Sequence, residues 1–134
     1  MRHRKQNQKL GRSGAHREAL VSALVVSLIK HRSIKTTVVK AKIARQTAEK
    51  MVTIARKGTV AARRLAVSRL RDEDAAEILF KQITPMFEGR AGGYTRILRT
   101  GTRCGDGSEM AILQWVEATA AASEGSEPQA GASA

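Results

Sequence analysis

The spacing of apolar side chains changes once along this chain, and that change limits the architectures open to it. Through residue 88 large apolar residues recur at three- and four-residue steps; beyond GRAGG, residues 89 to 93, the step becomes two, in YTRILRT and EMAILQWV. Helices are therefore expected first and an antiparallel hairpin last, its two strands joined by GTRCGDGS, whose three glycines permit positive backbone angles.

Within the helical part, Ser13 is the expected N-cap of a first helix ending near His31. Its stripe is Ala19, Leu20, Ala23, Leu24, Ser27 and Leu28, widened by Val21 and Val25. SIKTTV, residues 33 to 38, is β-branched and alternating, which suits a short strand. Thr37 then caps a second helix with a stripe of Ile43, Thr47, Met51 and Ile54, stopped by Gly58. A third runs from about Val60 to Leu70, with Ala61, Leu65 and Ala66 inward and Arg63, Arg64 and Arg69 outward. Asp72 caps a fourth, with Glu73 and Asp74 in the first turn where the helix dipole favours them and Pro85 weakening the last turn. The fold class is thus α+β, in the order α-β-α-α-α-β-β: two layers, with a small mixed or antiparallel three-stranded sheet packed on helices.

Two segments fall outside that domain. Residues 1 to 13 form an extended basic arm, and residues 118 to 134, rich in Ala, Ser, Gly and Glu and poor in large apolar groups, form a tail expected to be disordered. The globular domain is residues 14 to 117, long enough to bury a core without staples. One cysteine, Cys104, excludes an intrachain disulfide, and His3, His16 and His31 are not at zinc-ligand spacing, so no metal or cofactor is expected.

Charge decides the class of partner. The net charge is +12, but the first fifty residues hold thirteen Lys or Arg against Glu18 and Glu49. The other 84 carry eleven basic and ten acidic side chains, so nearly all the excess sits at the start. A concentrated positive field attracts a polyanion. Nucleic acid, an anionic membrane or an acidic protein could answer that charge; the opening MRHRKQNQKLGRSGAHR has no acid and no apolar stripe for a membrane surface, and nucleic acid is favoured. ALVSALVVSLI, residues 19 to 29, is followed by KHR rather than a cleavage site and is too short to span a bilayer; it reads as a core helix, with an organellar transit peptide as the alternative.

Three features carry the binding chemistry. Arg2, Arg4, Lys5, Lys9, Arg12 and Arg17 are strung along the arm so that each can meet a separate phosphate, the alternative being a solvated basic tail. In KTTVVKAK, Lys40 and Lys42 sit in the opening turn of the second helix, where the dipole repels them. A phosphate there, held by free amides and the Thr36 or Thr37 hydroxyls, reverses that sign; two solvated lysines are the alternative. In GRAGGYTRI, Gly92 and Gly93 allow close approach beside Arg90, Arg96 and Tyr94. Tyr94 either meets ribose or base or packs against the sheet, and Arg99 and Arg103 extend the same basic surface.

With only Phe80, Phe87, Tyr94 and Trp115 as aromatics, the chain lacks the stacking platforms of single-strand readers. It is expected to grip the backbone of folded RNA. His16 with Glu18, and Asp106 with Glu109, have no accompanying nucleophile or phosphate loop, and GTRCGDG precedes a strand, so no enzymatic activity is expected.

MRHRK, KLGRSGAHR, IKTTVVKAK, the RRL of the third helix, GGYTRI and RCGDGSEMAI (Arg103 to Ile112) together resemble the bacterial large-subunit ribosomal protein seventeen family over about residues 1 to 117. The resemblance implies a non-catalytic constituent of the large (50S) subunit, in the cytoplasmic rather than an organellar ribosome. It also implies binding to 23S rRNA near the peptide exit tunnel, beside other ribosomal proteins that include a small zinc-ribbon-like one, with no membrane or small-molecule substrate. Carried onto this chain, it implies rRNA contacts for the arm with His3 and His16, for Lys35, Thr36, Thr37, Lys40 and Lys42, and for the Tyr94 and Arg96 region. Ser22, Cys104 and the Gln114-Trp115 pair depart from that family's usual residues. The rival reading is an architectural DNA-binding protein that has nothing to do with the ribosome.

Overall fold

The computed structural model describes residues 8–116; Arg2, His3, Arg4 and Lys5 of the arm, and the tail, lie outside it. Along the described residues the order is α1 (Gly14–His31), β1 (Ser33–Thr37), α2 (Val38–Ala55), α3 (Val60–Leu70), α4 (Glu73–Ile78), a π turn (Leu79–Ile83), a 3-10 turn (Thr84–Phe87), β2 (Thr95–Thr102) and β3 (Glu109–Trp115). This is the expected α-β-α-α-α-β-β order.

The sheet is antiparallel throughout, in the order β1-β3-β2, so β3 is central and the first strand joins the terminal hairpin across the whole intervening helical segment. Its register puts Ile34, Leu113 and Ile97 in one row and Lys35, Ile112 and Leu98 in the next. Alternation separates these rows onto opposite faces. The face with Ala111, Leu113 and Trp115 is buried under the helices, while Leu98 remains 44% exposed and Met110 and Ile112 half-exposed on the other. An extra residue at Thr100 bulges β2, and Gly101, at φ +98°, supplies the backbone angle that the bulge needs.

The core clusters α1, α2, α4 and the inner sheet face around Phe87, Leu28, Ile29, Met51, Leu79, Ile83 and Leu113, all fully buried. Phe87 meets Tyr94 at 5.1 Å and Trp115 at 5.9 Å between ring centroids, both tilted. Trp115 also donates its indole Nε1–H to the Leu28 carbonyl at 3.1 Å, tying the central strand to α1. Thus one departure from the family pattern has a partner inside the fold.

Several helical faces differ from expectation. In α1 the buried set is Val21, Val25, Leu28 and Ile29, and Ala19 and Ala23 face solvent, because the larger side chains of the broad stripe displace its alanines from the core. In α2 Met51 is buried, but Ile43, Thr47 and Ile54 are only half-buried; Ala41, Ala44, Ala48 and Ala55 lie against the neighbours, small enough for close backbone approach. In α3 the inward residues are Ala62, Ala66 and Leu70, while Ala61 and Leu65 are exposed and Arg63, Arg64 and Arg69 face outward as expected. Of this inward set, Leu70 joins the main core cluster with α1, α2 and α4. Ser13 and Thr37 occupy N-cap positions without a side-chain bond to the helix, whereas Thr59 and Asp72 do cap, accepting from Ala62 N–H at 3.1 Å and Ala75 N–H at 2.8 Å.

Candidate nucleic-acid interface

Where α1, α2, the end of α3 and β2 converge, they leave an open groove of about 1360 Å³. Val21, Val38, Ile43, Met51 and Ile97 form its apolar floor, and basic side chains form its walls: Lys9, Arg17, Lys42, Arg45, Arg69, Arg71 and Arg99. Only Glu18 and Glu49 among the lining residues are acidic. The Glu49 carboxylate is already engaged, accepting from Thr95 Oγ1 at 3.0 Å and Arg45 Nε at 3.3 Å. Arg17, Lys42, Arg69 and Arg71 meet no carboxylate among the described residues, and the nearest acid to Arg99 is Glu109, at 3.9 Å. Unneutralised cations gathered in a concave surface raise the local potential and draw in phosphate.

Local structure explains how α3 contributes. The last carbonyls of a helix lack intrahelical donors. Here the Ser22 hydroxyl of α1 lies 2.7 Å from the Leu70 carbonyl and 3.1 Å from that of Arg69, reaching both across the helix end. Arg71 then takes the left-handed conformation, φ 58°, ψ 28°, and its N–H donates to the Val67 carbonyl at 2.7 Å. Ser22, another departure from the family pattern, thereby fixes the chain between two groove arginines.

The groove brings together four of the residues expected from sequence: Lys9, Arg17, Lys42 and Arg99. It adds Arg45, Arg69 and Arg71, which sequence reasoning passed over. Arg45 was legible, since Lys42, Arg45, Gln46 and Glu49 share one helical stripe. Arg69 and Arg71 were not, because only the seating of α3 on α1 and α2 carries them there.

Other expected residues lie elsewhere. Lys35 and Arg103 line a separate cleft of about 260 Å³ with Thr102, Cys104 and Met110. Arg103 is engaged there by Asp106, whose carboxyl is held well below the usual carboxylate range by that guanidinium and by Ser108. His16 is exposed on the first turn of α1, and Thr36, Thr37 and Lys40 are half-buried around the start of α2. Arg90 Nε donates to the Gly92 carbonyl at 3.1 Å, and Arg96 pairs across the sheet with Gln114.

Tyr94 is a correction. Its side chain is only 2% exposed, with the ring against Phe87 and the hydroxyl 2.9 Å from Arg56 Nη1 and 3.2 Å from the Arg90 carbonyl. A ring so enclosed has no face left for a base, and its role is to hold the GRAGG turn against the core. Among the described residues no helix is long and apolar enough to cross a membrane.

Comparison with known proteins agrees with the motifs. The family model described as ribosomal protein L17 matches residues 20–116. The chain is also 50% identical, over 117 residues, to the protein named large ribosomal subunit protein bL17 from Methylacidiphilum infernorum (isolate V4), covering 87% of this chain and 89% of that one. With the fold, the predominantly basic groove and a match over most of its length, this chain belongs to the ribosomal protein L17 family.

Proposed function

We propose that the protein is a structural constituent of the large ribosomal subunit, in the cytoplasm, and binds 23S-type rRNA through its basic surface without catalysing a reaction. The observation that carries the reading is the groove: seven cations from three helices, a strand and the leader, set against two carboxylates, in a chain of this family. Phosphate contacts of this kind fix position on an RNA without reading its sequence, which is what a scaffold protein requires. The arm residues Arg2, His3, Arg4, Lys5 and Arg12 act with the groove, and His16, Lys35, Thr36, Thr37, Lys40, Arg90, Arg96 and Arg103 provide outlying contacts on the same RNA.

Location near the outer end of the peptide exit tunnel belongs to this reading and rests on the family resemblance. Neighbouring ribosomal proteins, including the small zinc-ribbon-like one, complete the surroundings. The outer sheet face, where Leu98 is 44% exposed, offers them apolar surface.

Hydroxyl-radical footprinting of large-subunit rRNA with the full chain tests the proposal. Protection of a compact rRNA site is expected, with much weaker binding to duplex DNA at the same salt concentration. Equal affinity for duplex DNA and rRNA, with no local protection, would overturn it in favour of a general DNA-binding role.

A further inference from the structure

Each element that lines the groove is amphiphilic in the same way. On α1, Arg17 and Val21 are one turn apart, and on α2 so are Val38 and Lys42. On β2, Ile97 and Arg99 alternate onto one face, and at the end of α3 Leu70 stands between Arg69 and Arg71. Every element therefore sends an apolar side chain to the floor and a cation to the walls. Most of the floor is closed by the core's own packing, since Val21, Val38, Met51 and Leu70 are buried. Ile43 and Ile97 are only half-buried, so apolar surface stays open between the charged walls.

Phosphates alone make no use of such a floor. A backbone bridging the cations would leave Ile43 and Ile97 wet or covered by ionic groups, and neither outcome recovers the free energy of burying apolar area. A nucleotide has the matching anatomy: a flat, largely apolar base face joined to a phosphate. Inside a duplex that face is stacked out of reach, so the nucleotide that fits is an unpaired one.

Resting on the rRNA-binding reading above, we infer that the groove holds an unpaired nucleotide extruded from the folded rRNA, its base on Ile43 and Ile97 and its flanking phosphates on Lys42, Arg69, Arg71 and Arg99. No aromatic side chain lines the groove among the described residues, but guanidinium planes also stack on bases, and the arginine walls serve that purpose. Thr47 and Ser68 add hydroxyls to the same lining, for the ribose or a base edge. Extrusion costs least where a base is already unpaired, which selects a bulge or loop over regular helix.

Salt separates floor from walls, because neutralising a phosphate releases counterions and covering an apolar side chain does not. Affinity of the full chain for large-subunit rRNA is measured across salt concentrations for the unsubstituted protein, I43T/I97T and K42Q/R99Q, with thermal melting as the folding control. The floor variant I43T/I97T is expected to lose about tenfold at every salt concentration with its salt slope unchanged. The wall variant K42Q/R99Q is expected to make the slope shallower by about 1.5, the share of two phosphates. Base-specific probing of the rRNA with dimethyl sulfate and a carbodiimide accompanies hydroxyl-radical footprinting. At least one base that is reactive in free rRNA should become protected inside the backbone footprint, and should regain reactivity in the complex with I43T/I97T.

If I43T/I97T binds like the unsubstituted chain at every salt concentration, no base lies on the floor; the groove is then left to phosphates, or its floor to an acidic peptide of a neighbouring protein, and the inference is refuted while rRNA binding stands. A change of salt slope in I43T/I97T equal to that of K42Q/R99Q refutes it as well. Should I43T/I97T melt more than a few degrees lower, probing with the unsubstituted chain decides: a newly protected base inside the footprint upholds the inference, and a backbone footprint without one overturns it. If the unsubstituted chain shows no preference for rRNA over duplex DNA, the functional reading has failed and this inference falls with it.

Discussion

Asp72 shows how one side chain settles two elements. Its carboxylate accepts from Ala75 N–H at 2.8 Å, capping α4, and from Lys30 Nζ at 2.7 Å, tying that cap to the end of α1. The Lys30 ion pair first, and the Ala75 amide second, hold its pKa below the ordinary aspartate value. A depressed native pKa gives stability that is complete above the unfolded value, about 3.9, and is lost as pH falls through the native one. Acid unfolding followed by circular dichroism should therefore begin at lower stability, with a shallower pH slope below about pH 4, in Asp72→Asn than in the unsubstituted protein. Asp72→Ala should reduce stability at pH 7 by about 1 kcal/mol, read from the urea midpoint. For Tyr94→Phe, losing bonds to Arg56 and the Arg90 carbonyl should likewise destabilise by about 1 kcal/mol, yet leave rRNA affinity unchanged. A strong affinity loss with no stability change would restore Tyr94 to the contact set.

At the scale of elements, the seam of α2 is the sensitive feature. Ala41, Ala44 and Ala48 are fully buried, one and two turns apart, where α2 meets its neighbours. Ala48→Leu should cost about 1–3 kcal/mol through overpacking, and the same substitution at exposed Ala61 in α3 should cost under about 0.5 kcal/mol. Chemical denaturation of the two variants separates an alanine that permits close packing from one that merely favours helix. The segment after α4 is a second such feature. A π turn and then a 3-10 turn replace the regular end expected before Pro85, with Thr84 Oγ1 2.8 Å from the Leu79 carbonyl and positioned to donate to it. That irregularity lets Leu79, Ile83 and Phe87 all reach the core.

For the whole molecule, charge placement governs behaviour. Groove and leader together should give rRNA binding whose logarithm falls steeply with the logarithm of salt concentration. About six neutralised phosphates correspond to a slope of roughly −4 to −5, measurable by filter binding. Truncating residues 2 to 7 should weaken that binding and reduce the slope while leaving thermal melting of the domain unchanged. A melting temperature several degrees lower after truncation would mean that those residues support the core.

Much of this architecture could be read from periodicity and punctuation. The change of apolar period placed the hairpin after the helices, Asp72 and Gly58 marked helix ends, and alternation in SIKTTV identified β1 despite its five residues. These signals are local, set by neighbours a few positions away along the chain. The binding surface was only partly legible: the basic leader and Lys42 stand out in the sequence, but Arg69 and Arg71 belong to a stretch whose charges nearly balance. Their grouping with Arg17 and Arg99 required the end of α3 to be held on α1, where Ser22 bonds carbonyls 47 and 48 positions along the chain. The burial of Tyr94 was decided in the same way, by Phe87 and Arg56. Composition and order determined that the chain is a basic α+β domain suited to a polyanion; only the packing of helix on helix determined which cations share a groove, because charge adds up wherever side chains meet in space.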